Sequence, residues 1–89
     1  MHHPRPDRNR KQIVAAARQL GCLWINADRW AGHDGILITR SGVFLCEIKV
    51  LYDSTFTPSE IKLKEQVTHL GQVYHVLRTV DDVIELAGF

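Results

Sequence analysis

The 89-residue sequence has few cysteines, no long apolar run and almost no net charge, and each of these absences excludes a class of protein. Its two cysteines, Cys22 and Cys46, lie inside apolar runs, where we expect them to stay unpaired in a reducing compartment. No apolar stretch approaches the roughly 18 residues of a membrane span, and the charged N-terminus lacks the apolar core of a signal peptide. We therefore expect a cytoplasmic protein without a membrane segment.

The small net charge of +1 creates no strong overall field, so a surface for nucleic acid has to come from uneven placement of charges. Such unevenness exists, because Arg5, Arg8, Arg10 and Lys11 cluster near the N-terminus. Apolar residues at 45% and charged residues at 24% are ordinary for a globular protein. A domain of this size buries only roughly 60–65% of its unfolded surface, and dimerisation would add to its core.

The chain is predicted to be a mobile arm followed by one domain. Residues 1–6 hold two histidines and two prolines without an apolar period, which indicates the arm, and residues 7–89 form the domain. Apolar residues at helical spacing from Asp7 to Leu20 predict a first helix. Gly21 is placed to end that helix in the left-handed conformation.

Three apolar runs of strand length follow the first helix. The run at residues 22–26 predicts the first strand, and the runs at residues 36–39 and 43–50 predict a tight hairpin. A three-residue loop is predicted between the two hairpin strands, with its last residue, Gly42, free to adopt a positive φ.

Capping patterns mark two further helices. Thr57 and Glu60 are spaced as a capping box with Pro58 in the first turn, and Gly71 is placed to end this second helix. Residues 72–77 predict a last strand, after which Thr79 and Asp82 open a closing helix.

The element order is therefore helix, three strands, helix, strand, helix, or αβββαβα. Short links predict an antiparallel meander of the first three strands, and the crossover through the second helix allows the last strand to join in parallel. We predict an α/β fold with a four-stranded mixed sheet flanked by helices.

Charged residues on the hairpin are the strongest functional signal. Glu47 and Lys49 are two apart in an apolar strand, so both project from one face. With a three-residue loop, Gly35 pairs with Glu47 across the hairpin, and Asp34 lies within one position of Glu47. Two carboxylates and an ammonium at one end of a hairpin suit a hard divalent cation such as Mg²⁺. The alternatives are that both strand charges face solvent on an edge strand and that Asp34 is a turn residue.

An acidic residue, a hairpin and then Glu-x-Lys resemble the core of the PD-(D/E)xK nuclease superfamily, with Asp34, Glu47 and Lys49 as its three marks. The element order is similar to the restriction-endonuclease-like core, and the chain looks most like the small phage-type nucleases with virus-type replication-repair nuclease (VRR-NUC) domains. The stretches that carry the resemblance are residues 7–14, 20–21, 34–49, 56–60, 71–73 and 77–83. The resemblance implies Mg²⁺- or Mn²⁺-dependent hydrolysis of DNA phosphodiester bonds, often on branched or structured DNA and often by homodimers.

The resemblance also implies the role of each residue in the site. Asp34, Glu47 and the backbone carbonyl of Ile48 would hold the metal, and Lys49 would orient or deprotonate its water. His33 stands where such domains usually have proline.

Other departures from the family pattern leave four residues as candidates for accessory roles in the site. Asp7 or Asn9, which also serve as caps of the first helix, lie near the place of an acidic residue that commonly completes the metal shell. Glu60 stands where a glutamine is often found, and Gln66 lies a turn or more further on. The alternative function is therefore a catalytically inactive nuclease-fold protein that binds DNA or a protein partner.

Four residues are candidates for contact with nucleic acid. Arg8 and Lys11 lie on the polar side of the first helix, and Arg29 and Trp30 lie in the loop before Asp34. The alternatives are a solvated helix face and packing of Trp30 over the hairpin. A zinc site of the two cysteines and a histidine is a further alternative, although the spacing of paired metal-binding loops is missing.

A homodimer is expected, since each chain carries one Asp34-Glu47-Lys49 set and a duplex has two strands. Phe56, Tyr74, Leu86 and Phe89 are the candidate contacts. The alternative is a monomer that buries these residues in its own core.

Overall fold

The computed structural model describes residues 6–28 and 30–88, with side chains from Arg8 onward. The chain runs helix, three strands, helix, strand, helix, which confirms the predicted α/β fold and the order αβββαβα. The helices are α1 (Pro6–Gln19), α2 (Pro58–His69) and α3 (Val80–Ala87), and the strands are β1 (Leu23–Asn26), β2 (Gly35–Thr39), β3 (Gly42–Ile48) and β4 (His75–Leu77).

The four strands form one mixed sheet in the order β1-β2-β3-β4. The first three are antiparallel and β4 joins β3 in parallel, as predicted from the short links and the crossover through α2. One face of the sheet packs against α1 and α3. Its buried core consists of Ile13, Ala17, Trp24, Leu37, Cys46, Leu77 and Val83.

The hairpin register differs by one residue from the prediction. Thr39 pairs with Gly42, so the loop is the two residues 40–41, and Gly42 belongs to β3 without a positive φ. Gly35 therefore faces Cys46 rather than Glu47. The shorter loop is stabilised locally, because Oγ1 of Thr39 accepts from the Ser41 backbone N–H at 3.0 Å.

Most helix ends follow the predicted caps. Both capping boxes form, at Thr57 with Glu60 and at Thr79 with Asp82, and Gly21 has a left-handed φ of 79° after α1. The helix α1 begins at Pro6, so the last residue of the predicted arm is helical. Residues 1–5 lie outside the described residues.

On the opposite face of the sheet, α2 covers one part and the other part is exposed to solvent. Only Glu60 of α2 is buried, so this helix is held mainly by its first turn. Beyond it the aliphatic side chains of Leu23, Ile25 and Val43 are exposed, Val43 by 66%. Both cysteines are free, and within the described ranges no helix is long and apolar enough to cross a membrane.

Gly32 packs the loop before β2 against the first turn of α2, and we expect its replacement to be costly. It has φ +82°, and a Cβ atom there would lie 2.7 Å from the backbone oxygen of Ser59. Gly71 is a matched control, with φ +78° and no atom within 4 Å of its Cβ position. We expect Gly71→Ala to lower the free energy of unfolding by about 1 kcal/mol from the left-handed backbone alone.

Gly32→Ala should lower the free energy of unfolding by about a further 1 kcal/mol or more, because the added methyl group overlaps the Ser59 backbone. Urea denaturation of both variants measures the difference. Equal losses in the two variants would contradict this close contact between the loop and α2.

Candidate active site

Asp34 lies at the open end of the hairpin and is fixed from two sides. Its backbone N–H donates to the carbonyl of Cys46 at 3.0 Å, which holds it beside β3. Its Oδ2 accepts from the backbone N–H of Ile48 at 2.6 Å, and its Oδ1 accepts from Nη1 of Arg10 at 2.7 Å. Both carboxylate oxygens are therefore engaged, one by β3 and one by α1.

Glu47 is a buried carboxyl group in β3, only 4% exposed. The hydroxyl of Tyr74 lies 3.2 Å from its Oε2 and 2.7 Å from the carbonyl oxygen of Gly32. Burial, together with hydrogen bonds to Asp34 and Glu60 and their negative charges, raises the pKa of Glu47 to about 9. Glu47 therefore holds a proton at neutral pH.

Lys49 pairs with Glu60 at the start of α2. Its Nζ lies 3.1 Å from Glu60 Oε1, and both side chains are mostly buried. The same oxygen accepts from the Thr57 backbone N–H at 2.7 Å. Burial alone would raise the pKa of Glu60, but hydrogen bonds from Thr57, Glu47 and Lys49 lower it below its usual value. The helix cap and the ion pair thus share one carboxylate.

These groups line a cleft of about 580 Å³ between the hairpin end, α1 and the first turn of α2. The lining residues are Arg10, Ala27, Asp28, Trp30, Gly32, His33, Asp34, Glu47, Thr57, Pro58, Ser59 and Glu60. The cleft brings together the predicted pair Asp34 and Glu47 with the accessory candidate Glu60.

The other predicted residues are placed as follows. Asn9 donates from Nδ2 to the carbonyl oxygen of Lys49 at 2.9 Å, so it ties α1 to the strand end through an amide proton. Gln66 is exposed on α2 and is not one of the residues that line the cleft. Ile48 meets Asp34 through its N–H group, and its carbonyl as a metal ligand stays a prediction. The side chain of Asp7 lies outside the described residues.

The candidate nucleic-acid residues are exposed where the structure describes them. Trp30 is 75% exposed and lines the cleft, and Arg8 and Lys11 are exposed on α1. Arg29 lies outside the described residues. Their contact with DNA stays a prediction.

Two residues of the site were missed by the sequence reasoning. Arg10 lies three and seven positions before the buried Ile13 and Ala17, a spacing that turns it toward the sheet. Tyr74 was expected on a dimer surface but is only 6% exposed. That expectation was wrong because its ring is buried beside β3, where its hydroxyl meets Glu47 and the loop at Gly32.

The donor atoms of the cleft fit a hard divalent cation in chemical type. Carboxylates of Asp34, Glu47 and Glu60 are neighbours, and Nδ1 of His33 is buried without a hydrogen-bond partner. Across residues 6–28 and 30–88, however, no group of three or more His, Cys, Asp or Glu side chains is arranged to hold a metal ion. Oδ1 of Asp34 is occupied by Arg10. The carboxylates therefore match a divalent cation in chemical type, but they are not arranged around a common metal position.

Comparison of the chain with family models finds no matching family, and comparison with curated proteins finds no matching relative.

The proton on Glu47 makes the stability of the metal-free protein depend on pH. The folded chain keeps this proton up to about pH 9, whereas an ordinary glutamate loses it near pH 4.5. Between these values the folded state binds more protons than the unfolded state, so the free energy of unfolding falls as the pH rises, by up to about 1.4 kcal/mol per pH unit. Glu47→Gln removes the titrating group and should remove this fall.

Thermal unfolding in EDTA from about pH 5 to about pH 9 measures this effect as the difference between the wild type and Glu47→Gln. We expect the variant to become the more stable protein as the pH rises. Glu65→Gln, at an exposed position of α2, is the control and should follow the wild type. Parallel curves for the wild type and Glu47→Gln would show that Glu47 is ionised in the fold.

Proposed function

We propose that this protein is a divalent-metal-dependent DNA endonuclease that hydrolyses phosphodiester bonds, with branched or structured DNA as its substrate. The observation that supports this proposal is the meeting of Asp34 and Glu47 in one cleft, with Lys49 directly after the end of the strand that carries Glu47. The order of helices and strands in the chain also supports the proposal, because it is the order of the restriction-endonuclease-like core that the sequence resembles.

Each residue has a role that follows from its contacts. A divalent cation bound here would lower the pKa of a water molecule and offset the charge that develops on the phosphate. Asp34, fixed by the Ile48 N–H, and Glu47 would supply oxygen ligands, and Glu47 would have to lose its proton to do so. Lys49, whose Nζ lies 3.1 Å from Glu60 Oε1, would orient the attacking water.

The substrate surface consists of the cleft and the basic side of α1. Trp30 offers an exposed ring at the cleft on which a nucleotide base can stack, and such stacking is tolerant of sequence. Arg8 and Lys11 offer charge to the phosphate backbone. The two free cysteines agree with a location in the cytoplasm.

A catalytically inactive nuclease-fold protein that binds DNA or a protein partner is the second candidate. The ion pair of Arg10 with Asp34 favours it, because a metal cation bound at Asp34 would lie beside the guanidinium and be repelled by it. Metal binding discriminates between the two. An active nuclease should melt at a higher temperature in Mg²⁺ or Mn²⁺, and an inactive binder should not.

A homodimer is proposed through the open sheet face rather than through the surface expected from sequence. Leu23 and Ile25 on β1 pair with Ile38 and Ile36 on β2, and Val43 on β3 pairs with Ile38. These aliphatic side chains lie on the face opposite the core, in continuity with the part that carries Glu47. Two copies packed through this face would bring their clefts near one interface and exclude water from apolar surface.

Replacement of the Glu47 carboxyl group or of the Lys49 amine should slow DNA cleavage strongly. We expect Glu47→Gln, which preserves shape in a buried position, and Lys49→Gln to reduce the cleavage rate by about 100-fold or more. Linear, flapped, forked and four-way DNA incubated with Mg²⁺ or Mn²⁺ measures the rate. Glu65→Gln is the control. Cleavage by both site variants at the rate of the control would place the chemistry elsewhere.

The proposed dimer predicts a change of mass on mutation of the open face. Val43→Glu puts a charge on apolar surface and should convert a two-chain species to a single chain of 10.2 kDa at micromolar concentration. Val80→Glu is the control, since Val80 is also exposed but lies at the start of α3. Sedimentation of a single chain for the wild type would exclude the dimer, and dissociation by both variants would exclude this face.

A further inference from the structure

A groove of about 570 Å³ runs along one face of α2, outside the cleft. Five of its residues follow the helical spacing i, i+3, i+4, i+7 and i+8, so they share that face, and an aromatic residue from the preceding loop completes the lining. Ile61 in this groove is 47% exposed, so its apolar surface is open to solvent. The lining residues are Phe56, Ile61, Lys64, Glu65, Thr68 and His69.

Lys64 gives this groove an available positive charge. It forms no ion pair with another residue that the structure describes, and Glu65 is the one acidic side chain among the described lining residues. The cleft is different, because its lining holds Arg10 and four acidic side chains. Phosphate groups gain little attraction inside such a cleft. A DNA strand bound there therefore needs positive charge from the neighbouring surface, and Lys64 can supply it.

Phe56 connects the groove to the proposed active site. The centre of its ring lies 5.0 Å from Nζ of Lys49 and 5.5 Å from Nζ of Lys64. Lys49 in turn pairs with Glu60, which lines the cleft. A DNA strand held at Lys49 therefore has the Phe56 ring, and the groove that this ring lines, directly beside it.

An aromatic ring and a lysine on an apolar floor suit a nucleotide whose base is unpaired. A base can stack on a side chain such as Phe56 only when it has left the duplex stack, and a lysine attracts the phosphate of the same strand. The contact of the exposed Lys64 with the ring is weak in comparison with base stacking. A base can therefore take the place of the ammonium over the ring while the ammonium turns to the phosphate.

We propose, on the basis of the nuclease function proposed above, that the α2 groove binds an unpaired nucleotide of the DNA strand that leaves the cleft. Phe56 stacks on the base, and Lys64 binds a phosphate oxygen. This assignment narrows the substrate to DNA with a single-stranded segment beside the cut, as in a flap or a fork, rather than continuous duplex.

The experiment measures binding of a fluorescent single strand and of a duplex of equal length by anisotropy in EDTA. Lys64→Gln and Phe56→Leu are compared with Lys62→Gln, which removes an exposed lysine of the same helix that does not line the groove. We expect both groove variants to bind the single strand about tenfold more weakly than Lys62→Gln. Their affinity for the duplex should stay within about twofold of that control.

Groove variants that bind the single strand as tightly as Lys62→Gln would overturn this inference. An equal loss of affinity for the single strand and for the duplex would do so too, as would a wild type that does not bind the single strand. Should Phe56→Leu fail to fold, Lys64→Gln decides the result, because Lys64 is exposed.

The binding experiment can fail separately from the proposed nuclease function, because it contains no divalent metal and no cleavage step. If the wild type cleaves DNA in Mg²⁺ or Mn²⁺ but the groove variants bind like Lys62→Gln, the inference alone is overturned. If the groove variants lose single-strand affinity as expected but the wild type cleaves no DNA, the nuclease function is overturned. The groove is then supported as the strand-binding site of an inactive DNA-binding protein.

Discussion

The burial of Glu47 between two other carboxylates is the constraint to which the surrounding structure responds. An ionised carboxylate in this position would face repulsion from Asp34 and Glu60 and would lack water, so the group is held as a neutral acid. Each neighbouring element supplies part of the compensation: the Tyr74 hydroxyl comes from just before β4, and the Lys49 ammonium stands beside Glu60. Three acidic side chains are thus held close together by protonation and hydrogen bonds.

The same residues explain which parts of the fold the sequence could predict. Alternation along β3 puts Glu47 on the face opposite Cys46, whatever the length of the hairpin loop. The loop prediction was wrong by one residue, which changed the partner of Gly35 from Glu47 to Cys46. Asp34 nevertheless reaches the site, because its own backbone bonds the Cys46 carbonyl. The face of the strand on which Glu47 lies was therefore predictable from the local sequence pattern, but the residue-by-residue pairing of the two hairpin strands was not.

Contacts between helices and the hairpin were beyond the sequence reasoning for a physical reason. They depend on how α1 and α2 lie on the sheet, which no local propensity specifies. The spacing of Arg10 to Ile13 and Ala17 indicated a sheet-facing position, but its charge grouped it with the solvent-exposed arginines of α1. The capping box of Glu60 was predicted from sequence, whereas its second bond, to Lys49, required the position of α2. Long-range polar pairs of this kind form only after packing has fixed both backbones.

The helix α2 shows how closely folding and chemistry are joined in a chain this small. Its one buried residue is a carboxylate, Glu60, and the ion pair of Glu60 with Lys49, directly after β3, links the helix to the sheet. This attachment orders Lys49 and closes one wall of the cleft, but it covers only part of the sheet face. The aliphatic side chains beyond it stay exposed because the chain has no further helix among the described residues to cover them. The sparse packing of α2 therefore has two consequences. It leaves a polar attachment that organises the cleft, and it leaves apolar surface exposed, which is the surface proposed to bind a second copy.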